Sequence, residues 1–240
     1  MTTAEKTVRD LALENSAATR VFEELGIDYC CAGKKSLEEA CRIAKLNVDE
    51  VITSLEQAAQ SAVPQQENQR FDGPPLERLI RHIQSTHHKY AREQIARLGP
   101  LFEKVCSVHG GRHSELLDVR DAFKGLAQEL TAHMMKEEMI LFPYIGRMKE
   151  AVAAGKPLPP APFGSVQNPV EMMEHEHDSA GRALHTMKQA SNGYCAPADA
   201  CISFQTLYNA LAEFEADLHQ HIHLENNVLF PRAVALEKGH

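Results

Sequence analysis

The sequence predicts an all-α protein in which a small helical N-terminal unit precedes a four-helix bundle. Three observations carry that prediction. From Leu76 onward, apolar residues recur at three- and four-residue spacing through four long segments, which is the spacing of one helix face. No stretch sustains the two-residue alternation of a half-buried strand. The punctuation falls at Gly99-Pro100, at His109-Gly110-Gly111, in the Pro-rich stretch 155–169 and in 191–200, which suits a bundle with intervening loops.

Residues 1–56 read as the small unit. Gly26 follows VFEEL where a helix C-cap favours glycine. Ser36 with Glu39 forms a capping box ahead of LEEACRIAKL, and Asn47 with Glu50 offers a second helix start before VITSL. This unit also carries the adjacent pair Cys30-Cys31. Residues 57–75, QAAQSAVPQQENQRFDGPP, are polar and punctuated by Pro and Gly, and read as a linker. The bundle then occupies 76–240, and the linker is long enough for it to fold alone.

Composition removes several classes of function. The 240 residues allow one or two domains with a sizeable core, and 13 Gly with 12 Pro exclude a low-complexity chain. No apolar run approaches the ~18–20 residues of a bilayer-spanning helix. A net charge of -8, no Trp and 6% aromatic residues argue against a nucleic-acid binder. The start, MTTAEKTVRD, has no apolar h-region, so no secretory signal and a cytoplasmic location are expected. The six Cys are then expected as thiols rather than a disulfide framework. The unusual count is 13 His against 5 Tyr, because His is the commonest metal ligand.

Some of these histidines sit on the apolar seams. The second long segment runs Leu126, Leu130, His133, Glu137, Ile140, Tyr144 and Met148. The third runs Val170, Met173, His177, Ala180, Leu184 and Met187. The fourth runs Leu207, Leu211, Phe214, Leu218, His221, Glu225, Val228 and Leu229. A carboxylate or imidazole buried alone in a core is costly, and a metal ion offsets that cost well.

His-x-x-x-Glu places both side chains on one helix face about 6 Å apart. Chance alone gives about two such matches in a chain of this composition, so the bare motif decides nothing. Its flanks do. HMMKEEMILFP begins at His133 and HIHLENNVLFP at His221; both are H-x3-E-x3-L-F-P, separated by 88 residues. His177 lies 44 residues before His221, and His88 lies 45 before His133. The bundle thus reads as two related helical hairpins, each supplying one lone-His helix and one His-x-x-x-Glu helix. Four His and two Glu would make a two-metal site, each ion taking two imidazoles while the carboxylates bridge. Two His plus carboxylate with open positions suits non-haem iron, ahead of zinc or manganese. One ligand stays open on residue pattern alone. The seam Leu76, Ile80, Ile83 points to His87, the repeat spacing favours His88, and His82 is a further candidate.

These residues resemble the repair-of-iron-centres family, di-iron proteins with a hemerythrin-like bundle. LGIDYCCAGKKSLEEAC is similar to the short Cys-Cys domain that precedes the bundle in that family. HMMKEEMILFP, HEHDSAG and HIHLENNVLFP look like its metal-binding segments. The resemblance implies iron ligands at His88, His133, Glu137, His177, His221 and Glu225. It implies two iron ions per chain, oxo- or hydroxo-bridged, with Glu137 and Glu225 as bridging carboxylates. It further implies a cytoplasmic stress-response homodimer that repairs iron–sulfur clusters damaged by nitric oxide or oxidants; donation of iron from a labile bridged pair is the mechanism hypothesised for that repair. The partners would be damaged iron–sulfur proteins, with neither nucleic acid nor membrane involved. Two other functions compete: reduction of nitric oxide at open iron positions, and reversible dioxygen or nitric oxide binding and sensing, as in other hemerythrin-like proteins.

The remaining candidates are weighed on chemistry. Cys30 and Cys31 can form a redox pair or hold iron, and the Gly33-Lys34-Lys35 that follows adds positive charge. Glu129, one turn before His133, and Glu176, beside His177, are candidates for supporting a ligand imidazole. His175, His219 and His223 are expected on the solvated side, and His109 and His113 in a surface loop. Cys41, Cys106, Cys195 and Cys201 are expected to be structural.

Overall fold

The computed structural model describes residues 2–15, 17–30, 32–61 and 75–239. Among these residues it is helical, with no strand and one isolated antiparallel bridge between Thr7 and Ser36. Cys31 and residues 62–74, most of the stretch read as a linker, lie outside the described residues.

The N-terminal helices are α1 (Val8–Glu14), α2 (Ala17–Leu25), α3 (Leu37–Ala44) and α4 (Val48–Ser61). Their ends follow local chemistry. Ser36 Oγ accepts from the Glu39 N–H, and Asn47 Oδ1 accepts from the Asp49 N–H. Gly26 takes φ +68 just past α2, a left-handed conformation that glycine adopts at little cost. Helix α4 runs on to Ser61 because QAAQS contains good helix formers and Pro64 is the first breaker. The core of these helices is Val8, Leu11, Phe22, Ile27, Tyr29, Leu37, Cys41, Val51 and Leu55.

The bundle consists of four rods. The first is α5 (Leu76–His82), a π-turn (Ile83–His88) and α6 (Lys89–His109). The second is α7 (Glu115–Lys136), a π-turn (Glu137–Leu141) and α8 (Phe142–Ala153). The third is α9 (Gln167–Ala190). The fourth is α10 (Ile202–Leu224), a π-turn (Glu225–Leu229) and α11 (Phe230–Lys238). Rings of Phe102, Phe123 and Phe214 pack in series at 5.2 and 5.7 Å, joining α6, α7 and α10.

Gly99-Pro100 does not break the chain; α6 passes through both residues. Packing of Leu98, Phe102 and Val105 in the core holds that helix across its one missing N–H.

The π-turns explain the repeated L-F-P. The N–H of Phe142 bonds the carbonyl of Glu137, and that of Phe230 bonds Glu225, both five residues back. Pro143 and Pro231 follow immediately. A proline cannot donate to the carbonyl four residues behind it, so a widened turn just before it relieves the conflict.

By contacts the chain divides into Met1–Leu79 with Ile222–Pro231, and Ile80–His221 with Arg232–His240. Within the first unit, Asn227 Nδ2 donates to the carbonyls of Tyr29 (3.1 Å) and Cys30 (3.3 Å) and lies 3.0 Å from His223 Nδ1. Asn226 Nδ2 also reaches the Cys30 carbonyl. Asn227→Ala removes both buried amide N–H donors, which three acceptors share. It should destabilise the full chain by about 2 kcal/mol, and the melting temperature should fall by about 4–8 °C. A drop of a degree or less would mean that water replaces the amide.

Candidate metal centre

Three rods place His or Glu where a π-turn begins or ends. His88 ends the first π-turn, while Glu137 and Glu225 open the other two. Each carboxylate lies one α-turn after a histidine, His133 and His221, and α9 contributes His177. All six are buried, with His88, Glu137 and Glu225 fully so.

The six residues converge as two overlapping clusters. One is His88, Glu137, His221 and Glu225; the other is His133, Glu137, His177 and Glu225. In each, the candidate donor atoms lie within 4.8 Å of one another, and both clusters share both carboxylates. His88 Nε2 faces His221 Nε2 at 3.1 Å, and His133 Nε2 faces His177 Nε2 at 3.0 Å. Glu137 Oε2 lies 3.3 Å from the Nε2 of both His88 and His133, so it reaches both pairs.

Carboxylates behind the rings set which nitrogen carries the proton. Glu138 Oε1 lies 2.7 Å from His88 Nδ1, and Glu176 Oε2 lies 2.9 Å from His133 Nδ1. Each favours Nδ1–H and turns the Nε2 lone pair inward, the arrangement typical of metal-ligating histidine. Glu138 also pairs with Arg92, and Glu176 with Lys136. The His133 hydrogen bond, aided by Lys136 and opposed by partial burial, holds the Glu176 pKa down at about 2. Partial burial pushes Glu138 up, but His88 and Arg92 outweigh it and hold its pKa below the ordinary value.

The donor set fits a pair of cations. Inward Nε2 lone pairs beside two buried carboxylates place negative potential where an ion would sit. Glu138→Gln or Glu176→Gln should weaken metal binding by about 10–100-fold, read by competition with a chelator. An unchanged affinity would show that the backing carboxylates do not tune the imidazoles.

Other candidates fall differently. Glu129 is exposed and accepts from Ser179 Oγ at 3.2 Å. His87, the alternative ligand, lies outside both clusters; its Nδ1 sits 2.9 Å from Asp217. His82 is also outside them, with its Nδ1 near Thr86 Oγ1. His175 is exposed and His219 half-buried. His223, expected on the solvated side, is instead only 4% exposed and lies against the ring of Tyr29. Burial lowers its pKa to about 4. Cys30 is buried, with Sγ 3.4 Å from Asp28 Oδ1. Cys41 is buried and Cys106 partly so, whereas Cys195 and Cys201 are exposed and fill no core position. Glu138 was not singled out from the sequence. Its signal was position, directly after Glu137, as Glu176 directly precedes His177.

Fold and donor set together define a cation-binding bundle of the hemerythrin type, and residues 79–233 match the Hemerythrin HHE cation binding domain. Residues 4–59 match a Domain of Unknown function (DUF542). The chain is 39% identical over 237 residues to the iron–sulfur cluster repair protein YtfE of Pectobacterium atrosepticum, covering 96% of this chain and 97% of that one. It is 36% identical to the probable iron–sulfur cluster repair protein of Haemophilus influenzae, covering 98% and 99%. It is also 36% identical to YtfE of Escherichia coli O1:K1 / APEC, covering 95% and 96%. The chain belongs to the YtfE, or repair-of-iron-centres, family of iron–sulfur cluster repair proteins.

Proposed function

We propose that this protein repairs iron–sulfur clusters damaged by nitrosative and oxidative stress by donating iron. The observation that carries the reading is the pair of buried His/Glu clusters sharing Glu137 and Glu225, in a chain related to repair proteins along nearly its whole length. In this reading His88 and His221 would hold one iron and His133 and His177 the other, with Glu137 and Glu225 available to both. Two imidazoles plus shared carboxylates leave positions open, which suits non-haem iron. A bound iron pair would supply redox chemistry and exchangeable metal. The chain orients the imidazoles through Glu138 and Glu176 and keeps the donors away from bulk water. The clients would be damaged iron–sulfur proteins, reached by a cytoplasmic homodimer. Its N-terminal unit contributes the Cys30 and Cys31 thiols, and the stretch that follows α4 joins it to the 76–240 bundle. No helix among the described residues is long and apolar enough to cross a membrane.

The test incubates the iron-loaded full chain with an iron–sulfur enzyme inactivated by nitric oxide. Client activity should return faster than with an equal amount of ferrous salt, and more slowly with Glu137→Leu. Catalytic nitric oxide consumption with an electron donor, without client recovery, would replace this reading with a reductase. A stable, reversible dioxygen adduct without client recovery would replace it with a carrier or sensor.

A further inference from the structure

A thiol–imidazole pair lies at the other end of α6. His109 Nε2 lies 3.1 Å from the sulfur of Cys201, an exposed cysteine. His109 is 21 residues after His88, a helical distance of about 30 Å. The His109 ring packs on the buried ring of Phe204 at 5.4 Å, which fixes its direction. Cys201 itself precedes α10, and its carbonyl accepts the Gln205 N–H. It therefore occupies the N-cap, where the helix dipole favours negative charge. The neighbouring imidazole, His113, has both ring nitrogens on carboxylates, Nδ1 at 3.0 Å from Glu115 and Nε2 at 3.1 Å from Asp199. His109 is thus the ring aimed at the thiol.

A thiol with an imidazole in hydrogen-bond reach is the arrangement of an activated nucleophile. We propose that Cys201, with His109 as its base, is a thiol modification site for oxidised low-molecular-weight disulfides. His109 takes the thiol proton as the Cys201 sulfur attacks one sulfur of the disulfide. The old S–S bond breaks, a mixed disulfide forms on Cys201, and the leaving thiolate recovers the proton from His109. Cys201 is oxidised, and one equivalent of small thiol is released reduced.

Cys195 supplies an internal control. It lies in the same connection and is also exposed, but no imidazole among the described residues is within hydrogen-bond distance of its sulfur. The full-length, metal-loaded chain is treated with oxidised glutathione, and separately with iodoacetamide, and adducts are followed peptide by peptide by mass spectrometry. Cys201 should react about tenfold faster than Cys195. His109→Gln should bring Cys201 down to the rate of Cys195, with metal content and helicity unchanged. Equal rates in the unsubstituted chain would overturn the proposal without recourse to a variant. So would a His109→Gln chain, folded and metal-loaded, in which Cys201 keeps its advantage.

Discussion

Glu137→Leu, and equally Glu225→Leu, should yield a helical protein that has lost its metal pair. Both carboxylates belong to both clusters, so either substitution removes a donor from each cation position at once. Metal analysis of the purified variant should fall from about two ions per chain to none tightly held, given that even a residue behind a ligand is worth about 10–100-fold in affinity. The fold should survive, because each position is fully buried and leucine suits the apolar seam around it. Replacing a buried charged group with a hydrophobe of similar volume is often neutral for folding. Far-ultraviolet circular dichroism should therefore match the unsubstituted chain. Two tightly held ions in either variant would remove the carboxylates from the site. A variant that does not fold would show that the carboxylates organise the bundle even without metal.

His88→Ala and His87→Ala should separate cleanly, although both side chains are buried neighbours. His88 faces His221 and belongs to one cluster only, so its loss should empty that position and leave the His133/His177 cluster weakened but not stripped. His87 reaches Asp217 and stacks on His221 at 5.9 Å. Its removal should cost stability of about 1–3 kcal/mol while both ions remain. Metal stoichiometry and a thermal melt on each variant give the comparison. Metal lost from His87→Ala and kept by His88→Ala would reverse the assignment.

The His87 and His88 pair also shows where reading by periodicity ran out. The seam Leu76, Ile80, Ile83 extrapolates to His87 only if the helix stays α-helical. The π-turn at Ile83–His88 takes up one additional residue and turns His88 toward the centre. The repeat spacing favours His88 instead, 45 residues before His133 where His177 lies 44 before His221. Glu129 and Glu176 differed for a similar reason. Spacing along one helix offered Glu129 to His133, but the carboxylate behind the ring comes from α9. His223 was placed on the solvated side of α10 by helical geometry, which carries no information about Tyr29 and Asn227 covering it.

By itself the sequence determined the helical class, the positions of three histidines and two glutamates on apolar seams, and the pairing of two H-x3-E-x3-L-F-P segments. Those features are local: a 3.6-residue period, a cap, and a proline that forbids an ordinary turn are written into consecutive residues. The tertiary structure decided which imidazoles face each other, that Glu137 and Glu225 are common to both clusters, and that Glu138 and Glu176 stand behind the rings. It also placed His109 against Cys201, 92 residues away along the chain. The physical reason is that each of these depends on helix rotation and on where a π-turn shifts the register. Packing between rods sets both, and a one-residue shift turns a side chain by roughly 100° about the helix axis.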